Sequence, residues 1–315
     1  WETLTLQVGS LKSMPGVKVQ KYQAYDIVTI TCQFERKTFD TRVVFNAAGR
    51  IAGLFFAEAT SEYKPPSYVN RGAFKEEEVI VGSGEWLLHG TLSVPAGQGP
   101  FPALVLVHGS GPNDRDETIG PNKPFRDLAW GLASKGVAVL RYEKRTKEHG
   151  SKLVSLTNTL TVKEETIDDA LAAVALLRKT KKIDANRIYV LGHSLGGMLV
   201  PRIGRLDAGI AGFVVLAGAT RPLEDVILEQ MTYIIGLKGY LSVTEENQIE
   251  EIQKLVDKIK NLKESDAQSS ESIFAAPPSY WLDLRGYDPP EVARTLAHPM
   301  LVLQGGRDYQ VTMKD

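Results

Sequence analysis

The stretch Tyr189–Val200, YVLGHSLGGMLV, reads as the end of a buried strand, a tight turn and the start of a helix. Gly192-His193-Ser194-Leu195-Gly196 within it fits the pattern G-x-S-x-G. A turn this sharp leaves no room for side chains at its flanks, which is why glycine stands there. It holds the serine in a strained conformation and pushes the hydroxyl into the cleft at the carboxyl edge of a sheet. The helix N-terminus behind it favours developing negative charge. Ser194 is therefore the candidate nucleophile. The plainer alternative is a strand-to-helix turn that happens to carry a serine.

Outward from this turn, strands and helices alternate from Phe74 onward. Strands are predicted at Glu77 to Val81, Trp86 to Val94, Ala103 to His108, Val137 to Tyr142, Arg187 to Leu191, Gly212 to Ala217 and Met300 to Gln304. Runs such as ALVLV, VAVL and FVVLA suit central strands of a parallel sheet covered on both faces. Thr161-Val-Lys-Glu164 reads as a capping box, with Ile167, Leu171, Val174 and Leu177 on one helix face. This rhythm predicts a doubly wound, mostly parallel α/β domain over residues 73–315.

Residues from about 222 to 288 break the rhythm with two helical stretches and no strand. Leu223 to Leu237 is mostly apolar. Ser242-Val-Thr-Glu245 caps a second helix with Ile249, Ile252, Val256 and Ile259 along one side. The polar run KESDAQSSES and then PPSYWLDLRGYDPP lead back to the sheet. An amphipathic insertion of this length predicts a packed helical lid.

Residues 1–72 form a different kind of segment, a small α+β domain. Val28, Ile30, Cys32 and Phe34 alternate with polar neighbours, as do Phe39, Thr41, Val43 and Phe45. An antiparallel meander of about four strands follows, preceded by a short helix near Leu4 to Leu11. One sheet face needs a cover that one short helix hardly supplies, so more helix is expected before Trp1, or a second subunit over the sheet. The run SEYKPPSYVNRGAF reads as a linker with a boundary near residue 70.

A net charge of -1, with 43% hydrophobic and 24% charged residues, gives no electrostatic footprint for nucleic acid or an anionic membrane. No apolar run reaches the roughly 18 residues of a membrane span. The single cysteine, Cys32, cannot form an internal disulfide and does not fix the compartment. No metal-ligand spacing is present and no cofactor is implied. The charged cluster RYEKRTKEHG reads as a solvated loop at the edge of the cleft.

A second motif, His108-Gly109-Ser110-Gly111, closes the third strand of the α/β segment. Acyl transfer needs donors aimed where an oxyanion forms. In this architecture one N–H is expected from the residue after the nucleophile, Leu195, and the other from the loop after this strand, at Ser110. The alternative is an ordinary glycine turn.

With these motifs, residues 75 to 315 resemble the α/β-hydrolase superfamily, serine esterases in particular. The run HGSGPNDRDETIGPNKPFRDLAWGLASKGVAVLRYEKRT is similar to bacterial esterases of a dienelactone-hydrolase-like or serine-peptidase-like subgroup. There a small domain of unknown function with a cystatin- or NTF2-like sheet precedes the hydrolase, and residues 1 to 60 look like its latter part. The resemblance implies a Ser–Asp–His triad in that chain order. Asp308, after the seventh strand, then takes the acid's place; it could instead cap the next helix, and Glu224 and Asp225 are rival acids. None of the five histidines, His89, His108, His149, His193 and His298, follows Asp308. The base is expected beyond Asp315, together with an eighth strand and its helices. A companion C-terminal fragment or a homo-oligomer are the partners this leaves open.

The expected activity is that of a serine carboxylesterase on small-molecule esters of short to medium acyl chain, through an acyl-enzyme. Tyr280, Trp281 and Tyr287 suggest a moderately hydrophobic acyl pocket. A serine peptidase or thioesterase would use the same triad, and a catalytically dead acyl-ligand binder is the reading outside enzymes.

Overall fold

The alternation of Val28, Ile30 and Cys32 with polar neighbours resolves as strand pairing. In the computed structural model, which describes residues 8–22, 25–58, 63–153 and 159–315, four strands form an antiparallel meander: β1 (Leu11–Tyr22), β2 (Tyr25–Phe34), β3 (Thr38–Phe45) and β4 (Ile51–Glu58). Register sets Val28 opposite Val43, Ile30 opposite Thr41 and Cys32 opposite Phe39, so the alternating apolar residues share one face. Val8, Cys32 and Phe34 are buried there, while Val17, Val19 and Leu54 on the same face are exposed. The helix expected over Leu4 to Leu11 lies mostly outside the described residues. Where it is described, Leu11 already opens β1, because its backbone pairs with Phe34.

The described chain groups into two compact units, residues 1–64 with 119–122, and residues 65–118 with 123–315. The second unit holds a seven-stranded sheet in the order β11-β10-β9-β7-β8-β6-β5. Its strands are β5 (Phe74–Val81), β6 (Leu88–Pro95), β7 (Phe101–Val107), β8 (Ala138–Tyr142), β9 (Ile183–His193), β10 (Gly212–Leu216) and β11 (Met300–Leu303). β5 and β6 run antiparallel to their neighbours, and β8, β7, β9, β10 and β11 are mutually parallel. The apolar runs occupy these central strands. Val105, Leu106, Val107, Ala138, Val139 and Leu140 are fully buried, as a sheet covered on both faces requires.

Strand order reverses at β7. The chain leaves β7 for β8 on one side and returns to β9 on the other, so a crevice opens beyond the carboxyl ends of β7 and β9. Four longer helices matter here: α1 (Pro124–Ala133), α2 (Asp168–Arg178), α3 (Leu195–Leu206) and α4 (Leu223–Ile235). At the α2 entrance, Glu164 accepts from the Thr161 N–H at 3.0 Å, and Ile167, Val174 and Leu177 are fully buried.

Between β10 and β11 the described residues form no strand, as the sequence predicts, but the return segment PPSYWLDLRGYDPP, read as a plain connection, adds helices to the two expected. α4 is followed by α5 (Val243–Lys260), α6 (Pro278–Leu284) and α7 (Pro289–Arg294). Ser242 and Glu245 form the reciprocal capping box, and Val256 and Ile259 are buried on the predicted stripe of α5. This insertion is not a detachable flap. Ile259, Leu262, Ile273, Trp281 and Leu284 join the same apolar core as the sheet strands, so part of it closes the domain interior. No helix among the described residues is long and apolar enough to cross a membrane.

Candidate active site

β9 ends on His193 and α3 begins on Leu195, leaving Ser194 alone in the turn between them. Its backbone sits at φ 52° and ψ −116°, a conformation that L-residues rarely adopt. The surroundings hold it there. Ser194 N–H donates to Leu216 O at 2.9 Å, and Ser194 O accepts from Met198 N–H at 2.9 Å. A Cβ on Gly192 would come 2.2 Å from Gly196 O, and one on Gly196 would come 2.5 Å from Val107 O. The two glycines thus let α3 start directly against the ends of β9 and β7. Leu195 is the first residue of α3, where a backbone N–H has no partner within the helix.

The loop after β7 lies beside this turn, since a Cβ on Gly109 would stand 3.2 Å from that of Ser194. His108 opens the loop and is buried, its ring packed between Phe125 and Tyr142 and its Nε2 3.1 Å from Asp114 O. Burial pulls its pKa down to about 4, with the Glu117 carboxylate opposing and the Lys144 cation assisting. Gly109 N–H donates to Glu117 Oε1 at 2.8 Å, and Gly109 O accepts from Lys144 Nζ at 2.8 Å and Asn113 Nδ2 at 3.1 Å. Ser110 follows at the cavity wall.

Glu117 also reaches the turn that carries Ser194. Its Oε2 lies 2.9 Å from His193 Nδ1, close enough for an ion pair but off the line of a hydrogen bond. Burial lowers the His193 pKa, yet Glu117, helped by the Asp308 charge, outweighs it and raises the net value. Lys144 in turn meets Glu165 Oε1 at 2.8 Å, and Glu165 Oε2 accepts from the Tyr280 hydroxyl at 2.8 Å.

The cluster RYEKRTKEHG is therefore not a solvated loop. Arg141, Lys144 and Arg145 are buried, paired with Asp116 and Glu76, with Glu165, and with Asp169. Burying these cations is tolerable because each meets a carboxylate, Arg145 through both oxygens of Asp169, while Arg141 and Lys144 also donate to Ser93 Oγ and Gly109 O. Glu117, Lys144 and Glu165 are the site residues that sequence reasoning misses. Their signal is faint: mixed charge in the loops after two core strands for Glu117 and Lys144, and a carboxylate in the turn leading into α2 for Glu165.

Asp308 follows β11, and its Oδ1 accepts from the N–H groups of Gln310 and Val311 at 2.8 and 3.1 Å. β11 runs parallel to β10 and β10 to β9, so Asp308, after the carboxyl end of β11, lies at the edge of the sheet where Ser194 follows β9. Of the rival acids, Asp225 is paired with Lys260 at 2.6 Å, and Glu224 stands beside it in the first turn of α4. Among the described residues no histidine ring is hydrogen-bonded to Ser194. His89 pairs with Glu148, His149 lies 2.8 Å from Leu87 O, and the His298 ring meets Phe213 edge-on.

Ser110, Ser194 and Leu195 share the wall of one cavity of about 520 Å³. Met198, Val226, Ile227, Phe274 and Trp281 make the rest largely apolar. Tyr280 and Trp281 line it, as their sequence context suggests. Tyr287 does not: its hydroxyl donates to Met198 O at 2.7 Å, tying the chain after α6 to α3.

Known proteins agree with this architecture. Residues 104–314 match the alpha/beta hydrolase family, and residues 1–54 match a family described as a protein of unknown function, DUF3887. The chain is 44% identical over 316 residues to the esterase EstD of Thermotoga maritima, covering all of this chain and 72% of that protein. Among solved structures, it is similar in fold to Est1E from Butyrivibrio proteoclasticus, at 16% identity and a TM-score of 0.50, over 75% of this chain and 81% of that one. It is similar also to the Pyrococcus horikoshii acylaminoacyl peptidase, at 14% identity and a TM-score of 0.52, over 96% of this chain and 48% of that one. By the family match over two thirds of its length, and by its identity with EstD along the whole of it, the chain belongs to the α/β-hydrolase family.

Proposed function

We propose that this α/β-hydrolase is a serine carboxylesterase acting on short- to medium-chain acyl esters. The observation that carries the reading is Ser194 at φ 52°, held in the turn between β9 and α3 at the wall of an apolar cavity. Its likeness to an esterase at 44% identity supports the reaction class.

In this reading the acyl chain lies against Val226, Ile227 and Phe274. Ser194 Oγ attacks the ester carbonyl while a histidine base takes its proton. The N–H groups of Leu195 and Ser110 hold the oxyanion. The tetrahedral intermediate collapses, the alcohol leaves with that proton, and water then releases the acid from Ser194. Asp308 is the acid assigned to orient and stabilise the base.

The experiment is a rate comparison of the full-length protein and Ser194→Ala on matched p-nitrophenyl esters, anilides and thioesters. The reading expects esters to be turned over fastest, and a loss of about a thousandfold or more in the variant with its fold unchanged. Faster turnover of amides or thioesters would move the assignment to another acyl transfer, and full activity in Ser194→Ala would remove it.

A further inference from the structure

Gly109 is held by buried charge on both of its backbone groups, its N–H by Glu117 and its C=O, the carbonyl of the Gly109–Ser110 peptide, by Lys144. Glu117 takes the Gly109 N–H at 2.8 Å, so that donor is spent. Lys144 Nζ at 2.8 Å and Asn113 Nδ2 at 3.1 Å both donate to Gly109 O. A trans peptide places its N–H on the side opposite its C=O. Two donors on Gly109 O therefore fix the direction of the Ser110 N–H, which has no acceptor among the described residues and belongs to a residue lining the cavity beside Ser194. A cation on the carbonyl also polarises the amide and strengthens its N–H as a donor. Lys144 is held in turn: Glu165 meets it at 2.8 Å, and Tyr280, a wall of the cavity, donates to Glu165 at 2.8 Å.

We propose that Lys144 is a positioning residue for ester hydrolysis: from the buried side it aims and polarises the Ser110 N–H that receives the oxyanion, with Glu165 and Tyr280 as its brace. The inference rests on the serine-esterase reading. It assigns a role to a lysine that never meets the substrate. Asn113 shares the task, donating also to Ser110 O at 3.0 Å.

The test uses the full-length protein and p-nitrophenyl butyrate. Lys144→Met alone would leave Glu165 charged and unpaired in the interior, so the variant is Lys144→Met with Glu165→Gln. Deleting an oxyanion donor outright costs about 100- to 1000-fold. A misaimed donor is expected to lower kcat by about 10- to 100-fold while KM stays within about threefold. The inhibition constant of a trifluoromethyl ketone, which forms a tetrahedral adduct, should rise by the same factor as kcat/KM falls. A structural role alone would not link those two numbers. Glu165→Gln, which keeps Lys144 but removes the carboxylate that braces it, should lower kcat by less than the double variant does. If the double variant does not fold, Asn113→Ala reads the same peptide and should lower kcat at constant KM. A folded double variant with wild-type kcat, a loss confined to KM, or an Asn113→Ala protein with wild-type kcat in that second case would overturn the proposal. An inactive wild type, or an active Ser194→Ala, would instead overturn the esterase reading beneath it.

Discussion

Ser194 keeps its strained backbone because its neighbours give up side chains. Gly192 is the sharpest case, with Gly196 O where its Cβ would be. Gly192→Ala is expected to destabilise the larger unit by about 3 kcal/mol, read as a lower denaturant midpoint. An unchanged midpoint would mean the turn is looser than drawn. His108 makes a second residue-scale prediction. Its folded pKa is depressed from 6.5 to about 4, so below pH about 6.5 the unfolded chain takes a proton that the folded chain refuses. Stability attributable to His108 therefore falls as pH drops from about 6.5 to about 4, by about 3 kcal/mol over the window. The wild type should lose more stability between pH 7 and pH 4.5 than His108→Gln does. Equal losses would show that the ring is not the sensor.

At the scale of elements, β7 and β9 are legible because ALVLV and YVL are uninterrupted apolar runs ending in glycine motifs, a pattern only central parallel strands require. The α5 stripe is legible from its period and its capping box. The partners of the charged clusters are not legible. Lys144 meets Gly109 across 35 positions of sequence, and Trp130 meets Glu76 across 54, so no local pattern can pair them. Nor does the sequence say that residues between β10 and β11 enter the main core, since the stripe of an amphipathic helix looks the same whether it covers a cleft or completes an interior. α4 carries Ile227 into the cavity wall without placing it at the core's centre. Ile227→Trp is accordingly expected to lower kcat/KM for the hexanoate ester by about tenfold relative to the acetate ester. An unchanged acetate-to-hexanoate ratio would put the acyl chain elsewhere.

Over the whole molecule, one topological feature explains why the candidate groups meet. The chain reverses direction across the sheet at β7, so the loops after β7 and β9 both open onto one crevice. Ser110 arrives with the first and Ser194 with the second, 84 positions apart in sequence and on one cavity wall. β11, parallel to β10 and β9, carries Asp308 toward the same edge. The most direct test of the central claim is covalent capture. A fluorophosphonate probe should add once to the full-length protein, block hydrolysis of p-nitrophenyl butyrate in step with labelling, and be found by peptide mass mapping on Ser194, with no adduct on Ser194→Ala. Labelling at another residue, or undiminished hydrolysis after complete labelling of Ser194, would contradict the account.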